Sequence, residues 1–147
     1  MSFSAAITAL KADMVAISGL SPALHETPET KNGTLHDVGR GKFDGCFMIK
    51  VVGSGMSWFE ARSTAETSPP LRADLEIHLG TELTTDRLTQ QITAESRMYE
   101  IQEALCFSPD ANAAYTIFRS ADTFQDPKVP NDKRLIQIWP ISIRYMK

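Results

Sequence analysis

Side chains that could carry out chemistry are few and widely separated in this 147-residue chain. The three histidines, His25, His36 and His78, have no second histidine or cysteine at the short spacing that a metal site needs. His36 is followed by Asp37, which could orient an imidazole for general-base catalysis, but such a pair is far commoner in a solvated loop. The spacing therefore predicts no metal site and no catalytic histidine.

Two carboxylates are the best remaining candidates for acid–base chemistry. Asp74 and Glu76 alternate with apolar residues, so they project from one face of a strand. Alternating charge is, however, far commoner on the wet side of a sheet than in a catalytic pair. The GRGK segment at 39–42 lacks the rest of a P-loop, and Cys106 at the end of a helical stripe is predicted to be a small core residue. We expect no catalytic residue and no cofactor.

Composition places the chain among ordinary globular domains. Its length and its hydrophobic fraction of 42% predict a single domain, residues 1–147, with one core. A net charge of −3 with dispersed Lys and Arg argues against direct nucleic-acid recognition. The chain has two distant cysteines, a charged N-terminal segment and no apolar run near the roughly 20 residues of a membrane helix. We therefore expect a soluble protein, made in a reducing cytoplasm, without a membrane partner.

Two helices are predicted from the spacing of apolar residues. The first stripe is followed by Gly19, which can end a helix in the left-handed conformation; it consists of Phe3, Ile7, Leu10, Met14 and Ile17. The second stripe consists of Ala94, Met98, Ile101 and Leu105, with Leu88, Ile92 and Tyr99 along its edge. Thr84 or Thr85 is predicted to cap this helix, with Asp86 in its first turn, and the helix should stop at Ser108-Pro109.

Four segments are predicted to be strands. Residues 46–52 resemble a buried strand, 71–79 alternate between apolar and polar residues, and 115–120 form a third strand. In the fourth, 135–146, the apolar phase changes at Pro140, which suits a bulge or a sheet edge that a neighbour could extend. The order predicts an α+β fold, with a mostly antiparallel sheet of about four to five strands flanked by two helices.

A long polar segment interrupts the strands and favours an interaction role. Residues 53–70 have glycines at one end and prolines at the other, which predicts a long, flexible hairpin loop. Trp58, Phe59 and Arg62 are of the types that dominate interfaces, although both rings could instead fold back onto the domain. The complete set of predicted partner-binding residues is Met56, Trp58, Phe59, Arg62, Arg72, Asp74, Glu76 and Arg144.

The order of elements resembles the tail terminator proteins of long-tailed bacteriophages, the lambda-like minor tail or tail completion proteins. The resemblance is carried by ADLEIHLGTELTTDRL from Ala73, by ESRMYEIQEAL in the second helix and by the closing IQIWPISIRYM. The N-terminal helix fits in position only, and residues 21–70 match in layout rather than in sequence.

This resemblance implies a structural virion protein of the tail or neck, assembled in the cytoplasm of a bacterial host. Six copies would form a ring that caps the finished tail tube, stops its polymerisation and presents a surface for joining the head. The implied partners are further copies of the chain (a homo-hexamer), the tail tube protein and a head connector or completion protein. The family has no active site, which agrees with the expectation that the chain is not an enzyme.

Three other hypotheses remain open. The chain could be another head–tail connector or neck completion protein, since these are also small α+β ring formers. It could be a small α+β enzyme or ligand-binding domain that uses His36 with Asp37, or Asp74 with Glu76. It could also be a bacterial adaptor with no phage role.

Overall fold

The computed structural model describes residues 3–20, 22–27, 34–35, 38–39, 41–56, 71–83, 86–107, 114–125 and 133–145. The elements in chain order are helix α1 (Phe3–Ala16), strands β1 (His25–Glu26), β2 (Cys46–Met56) and β3 (Leu71–Glu82), helix α2 (Arg87–Phe107), and strands β4 (Thr116–Ser120), β5 (Phe124–Gln125) and β6 (Arg134–Tyr145). This confirms the predicted α+β class. The described residues contain six strands rather than four or five because β1 and β5, at two residues each, are too short to leave a periodic signal.

One sheet with strand order β1-β2-β3-β6-β4 organises the fold, and β5 also pairs with β6. Only the pairing of β1 with β2 is parallel. The central strands β3 and β6 pair without interruption from Leu71 opposite Tyr145 to Glu82 opposite Arg134. The sheet is therefore mostly antiparallel, as predicted.

Both helices cover the same face of this sheet. Leu75 and Ile77 of β3 are buried on that face together with Ile141 and Ile143 of β6. The helices supply the other side of the core. The buried residues of the predicted stripes are Leu10 and Met14 of α1 and Ala94, Met98, Ile101 and Leu105 of α2. Ala6, which was not predicted, is also buried, whereas Phe3, Ile7 and Ile17 of the predicted stripe are partly buried against the core. The apolar periodicity of β3 and of both helices was thus a correct guide to the buried face.

The cap of α2 lies one or two positions after the predicted one. Asp86 is the cap itself, because its carboxylate accepts hydrogen bonds from the backbone N of Thr89 at 3.2 Å and from Thr89 Oγ1 at 2.7 Å. Thr84 and Thr85, the predicted caps, lie outside the described residues. Gly19 has the predicted left-handed conformation, with φ of +85°, just after α1.

Strand β6 lies inside the sheet and not at its edge, which corrects the interpretation of Pro140. The carbonyl of Pro140 accepts a hydrogen bond from Ala121 N at 3.1 Å, so its missing N–H faces the gap between β4 and β5. The pairing with β3 continues through this residue without a bulge. The apolar phase changes because the covered face changes: Ile136 and Ile138 are buried on the other face, beneath Leu35 and Phe43.

Strand β2 extends into the beginning of the loop predicted at 53–70. Strand β2 continues to Met56, which pairs with Leu71, so residues 53–56 belong to an antiparallel hairpin. A bulge interrupts the pairing between Val51 and Gly53. Residues 57–70, with Trp58, Phe59 and Arg62, lie outside the described residues.

Two buried polar side chains fix the orientation of α2 about its own axis. Arg97 lies 3.3 Å from Thr81 Oγ1 and 3.5 Å from Asp44 Oδ1, measured from its Nη1 atom. Gln137 Nε2 donates a hydrogen bond to Glu95 Oε1 at 3.1 Å. These contacts, with the buried stripe, keep the opposite side of the helix facing outward.

Candidate functional site

The predicted polar face of β3 is one half of an exposed surface that we call the open face. It is the part of the sheet, opposite the helices, that carries Arg72, Asp74 and Glu76 of β3 and Pro140, Ser142 and Arg144 of β6. Cross-strand pairing sets Arg72 beside Arg144, Asp74 beside Ser142 and Glu76 beside Pro140. The other part of this side of the sheet is covered by Leu35, Phe43 and their neighbours, so the open face is confined to the hairpin end.

Asp74 joins the two central strands at the middle of the open face. Its Oδ1 accepts a hydrogen bond from Ser142 Oγ at 2.6 Å and from Arg72 Nε at 3.0 Å, and Arg72 Nη2 lies 2.9 Å away. Partial burial alone would raise the pKa of Asp74, but the bonds from Ser142 and Arg72 outweigh it and hold that pKa below its usual range. The carboxylate is therefore ionised at neutral pH, which suits a structural contact better than a general acid.

The substitution Asp74→Asn should lower the free energy of unfolding at pH 7 and have progressively less effect in acid. A depressed pKa in the folded state stabilises the fold above the unfolded pKa, about 3.9, and this contribution is lost as the pH falls below that value. Because the Asp74 side chain is 42% exposed, we expect less than about 1 kcal/mol. Urea unfolding of Asp74→Asn and wild type at several pH values measures the difference. The matched control is Glu100→Gln on α2, and a difference that is independent of pH would contradict the assignment.

Two arginines lie over an aromatic ring on the open face. The guanidinium carbon of Arg144 lies 4.2 Å from the ring centroid of Phe118, and that of Arg72 lies 5.6 Å from it. A register shift between Ile117 and Arg119 leaves Phe118 outside the regular pairing of β4 with β6. Arg119 adds a third, exposed guanidinium. Since Arg72 and Arg144 are also direct cross-strand neighbours, positive charge is concentrated here.

A groove of about 260 Å³ runs across the open face. It is lined by Val52, Arg72, Asp74, Leu75, Glu76, Arg119, Ala121, Pro140, Ile141 and Ser142. Three of the predicted partner-binding residues, Arg72, Asp74 and Glu76, thus lie in one groove. Val52 and Arg119 were missed because only the β2 bulge and the pairing of β4 with β6 bring them there.

The two predicted carboxylates do not act as a pair. Asp74 is bonded to Ser142 and Arg72, whereas Glu76 Oε2 lies 2.9 Å from Nε2 of His78. Of the other predicted residues, Arg144 lies beside Arg72, and Met56 ends β2 opposite Leu71. Each carboxylate is therefore held by its own polar partner on the face of the sheet.

A second exposed surface lies on the side of α2 that faces away from the sheet. Leu88, Ile92 and Tyr99 are 68%, 59% and 65% exposed. They share a stripe with the exposed Glu103, since the four residues are spaced by four, seven and four positions. We call Leu88, Ile92, Tyr99 and Glu103 the outer stripe of α2. Sequence periodicity indicated only an edge of the buried stripe, but these apolar side chains are open to contact.

Thiol and metal chemistry find little support in the described part of the chain. Burial raises the pKa of Cys46 to about 11, so this thiol is protonated at neutral pH. Cys106 is exposed at the end of α2, which corrects its prediction as a core residue. No three His, Cys, Asp or Glu side chains among the described residues are grouped to hold a metal ion. His36 and Asp37, the predicted loop pair, lie outside those residues.

Comparison with known proteins does not assign the chain to a family. Neither a protein-family model nor a curated protein sequence matches it significantly. Within the described residues, neither helix combines the length and the apolar character needed to cross a membrane. The two exposed surfaces, on α2 and on the open face, are therefore the features of the described chain that bear on its function.

Proposed function

We propose that this protein is a structural subunit that assembles with copies of itself into a ring on the tail tube of a long-tailed bacteriophage. The ring would end polymerisation of the tube and provide the surface to which the head is joined. The observation that carries this proposal is the outer stripe of α2. Three large apolar side chains exposed along a single helix are typical of a surface that is covered by another protein chain.

Ring formation requires two different surfaces on each subunit. A contact between unlike surfaces repeats from copy to copy and closes when the rotation between neighbours permits it. The outer stripe of α2 and the groove of the open face are two such unlike surfaces, and they lie on opposite sides of the sheet. The number of six copies rests on the resemblance to tail terminators.

Contact with the tube is assigned to the hairpin connection. Residues 57–70 link β2 to β3, and the strand ends at Met56 and Leu71 are next to the cross-strand pair of Arg72 and Arg144. Trp58, Phe59 and Arg62 in this connection have the side chains that dominate interface energetics. The tail tube protein and a head connector or completion protein are the proposed partners, in a virion assembled in the host cytoplasm.

The test is deletion of the gene from the phage genome that encodes it, followed by electron microscopy of the particles. A tail terminator predicts overlong tails, and supplying the wild-type protein should restore their length. The variant Ile92→Arg should fail to restore it, whereas Thr93→Arg, at an exposed position on another side of α2, should succeed. Tails of normal length detached from heads would indicate a neck completion protein instead, and normal particles would contradict any role in the tail.

A further inference from the structure

A cavity of about 330 Å³ lies between the C-terminal ends of the two helices. Its walls come from the end of α1, the last turn of α2 and the residue before β4; they consist of Asp13, Ala16, Ile17, Ser18, Ala104, Leu105 and Tyr115. We propose that this cavity binds a primary alkylammonium group, from a free amine or from a lysine side chain. The inference is independent of ring formation, because the cavity shares no residue with the outer stripe of α2 or with the groove.

Asp13 and Tyr115 form the polar part of the cavity. The Tyr115 O–H donates a hydrogen bond to Asp13 Oδ2 over 2.7 Å, and the tyrosine is only 5% exposed. Burial and this bond raise the pKa of Tyr115, so its hydroxyl stays a neutral donor. The bond uses one carboxylate oxygen of Asp13 and brings no positive charge. The carboxylate is therefore held in place while its charge remains uncompensated.

The charge of Asp13 is not balanced by the described residues around it. None of the residues that line the cavity is basic. Lys11, the nearest basic residue along α1, forms an ion pair with Glu26 instead. The other ion pairs of the described chain use the carboxylates of Asp44, Asp74 and Glu76. A bound cation would therefore supply the positive charge that the described surroundings of Asp13 do not.

The two helix ends add to the negative potential of the cavity. Ala16 is the last residue of α1, and Ala104 and Leu105 lie in the last turn of α2. The last four carbonyls of a helix have no partner further along it, and they act together as a partial negative charge. Neither helix has a basic residue in its last turn. Both helix ends therefore favour a cation in the cavity that they share.

The composition of the walls favours an alkylammonium group over a metal ion. Calcium and magnesium ions take about six or more oxygen ligands, whereas the cavity offers one carboxylate. Ile17 and Leu105 form an apolar part of the wall beside this carboxylate. An ammonium group could donate to Asp13 while its alkyl chain contacts these apolar residues. The volume of about 330 Å³ is at the lower end of the range for small-molecule sites, which suits a short alkyl chain.

Titration of the isotopically labelled full chain with pentylamine tests the site by amide NMR. We expect saturable shifts of the signals of Ile17, Ser18 and Tyr115, with a dissociation constant on the order of 1 mM at neutral pH. Pentanol, which has the same chain without the charge, should bind at least about tenfold more weakly. Shifts that do not saturate, or equal binding of pentanol, would overturn the inference.

Two variants remove the charge and the space separately. Asp13→Asn keeps an acceptor for the Tyr115 O–H but removes the charge, at an exposed position of α1. Ala104→Phe keeps the charge and fills the cavity. Each should weaken pentylamine binding at least about tenfold. The matched control is Asp122→Asn, the same exchange at an exposed position outside the cavity, which should leave binding unchanged. Circular dichroism checks folding, and wild-type affinity in either folded variant would contradict the site.

A lysine derivative identifies the source of the ammonium group. Nα-acetyl-lysine N-methylamide presents the same group on a lysine side chain between two peptide bonds. Binding as tight as that of pentylamine would assign the cavity to a lysine of another protein chain, whereas binding at least about tenfold weaker would assign it to a free amine. Both results support the ammonium site, and failure of both ligands to bind overturns it.

Discussion

Replacing Trp139 with alanine is expected to lower the free energy of unfolding by about 3–5 kcal/mol. Trp139 is the largest fully buried side chain of the chain's described part. It lies on β6 opposite Ile77 of β3, in the core that both helices cover. Alanine would leave a cavity at the contact between the sheet and the helices, where the neighbouring backbone cannot close it. Urea unfolding followed by far-ultraviolet circular dichroism measures the loss without using the tryptophan as its own reporter.

Two milder substitutions separate packing from hydrogen bonding at this position. Trp139 Nε1 donates a hydrogen bond to Ser120 Oγ at 2.7 Å, so Ser120→Ala removes the acceptor and keeps the ring. We expect Ser120→Ala to cost about 1–3 kcal/mol if the indole N–H stays unpaired. Trp139→Phe should fall between Ser120→Ala and Trp139→Ala. A Trp139→Ala protein within about 1 kcal/mol of wild type would show that the site collapses around the cavity.

Gly45→Ala is expected to lower the free energy of unfolding by about 2–4 kcal/mol, the second largest effect. A conformational penalty and a steric penalty add at this position. Gly45 has a φ of +78°, a left-handed conformation that alanine adopts at a cost. An added Cβ would also lie 2.9 Å from the carbonyl oxygen of Ala23 and 3.1 Å from Cγ of Pro22. Gly45 cannot move away easily, since its N–H donates to the carbonyl of Gly80 at 3.0 Å and its own carbonyl accepts from His25 N.

Gly19→Ala is the matched control for this substitution. Gly19 has nearly the same conformation, with φ of +85°, but an added Cβ would meet nothing within 4 Å. It should therefore cost only the conformational penalty of about 1–2 kcal/mol. Chemical denaturation of both variants gives the difference, which isolates the steric contact. Equal losses of stability in the two variants would mean that the segments carrying Ala23 and Gly45 can move apart without cost, so that the steric contact adds no penalty.

Features encoded by local periodicity were predictable from the sequence. The alternation of β3 and the stripes that contain Leu10 and Met98 identified the buried face of three elements, because burial follows a period of two or 3.6 residues. The end of α2 at Phe107 followed from the proline two positions later.

Features that depend on distant parts of the chain were not predictable. Pro140 predicted an edge strand, yet β6 lies inside the sheet. The N–H that proline lacks would point to the gap between β4 and β5, where Ala121 bonds to the carbonyl of Pro140 instead. The phase change beside Pro140 was visible, but its cause is the distant segment that carries Leu35 and Phe43. The groove was not predictable for the same reason, because Arg119 and Val52 come to line it only when distant strands pair in the sheet.

The interior position of β6 has a consequence for the order of synthesis. β6 follows β2 and β3 in the chain, yet it forms one wall of the groove and covers the whole length of β3. A ribosome-bound chain that has not reached Arg134 therefore has a bare β3 edge and no complete groove. A product truncated before β6 should therefore aggregate through that edge. The last of the six described strands to be synthesised is thus the one that protects β3 from pairing with other chains.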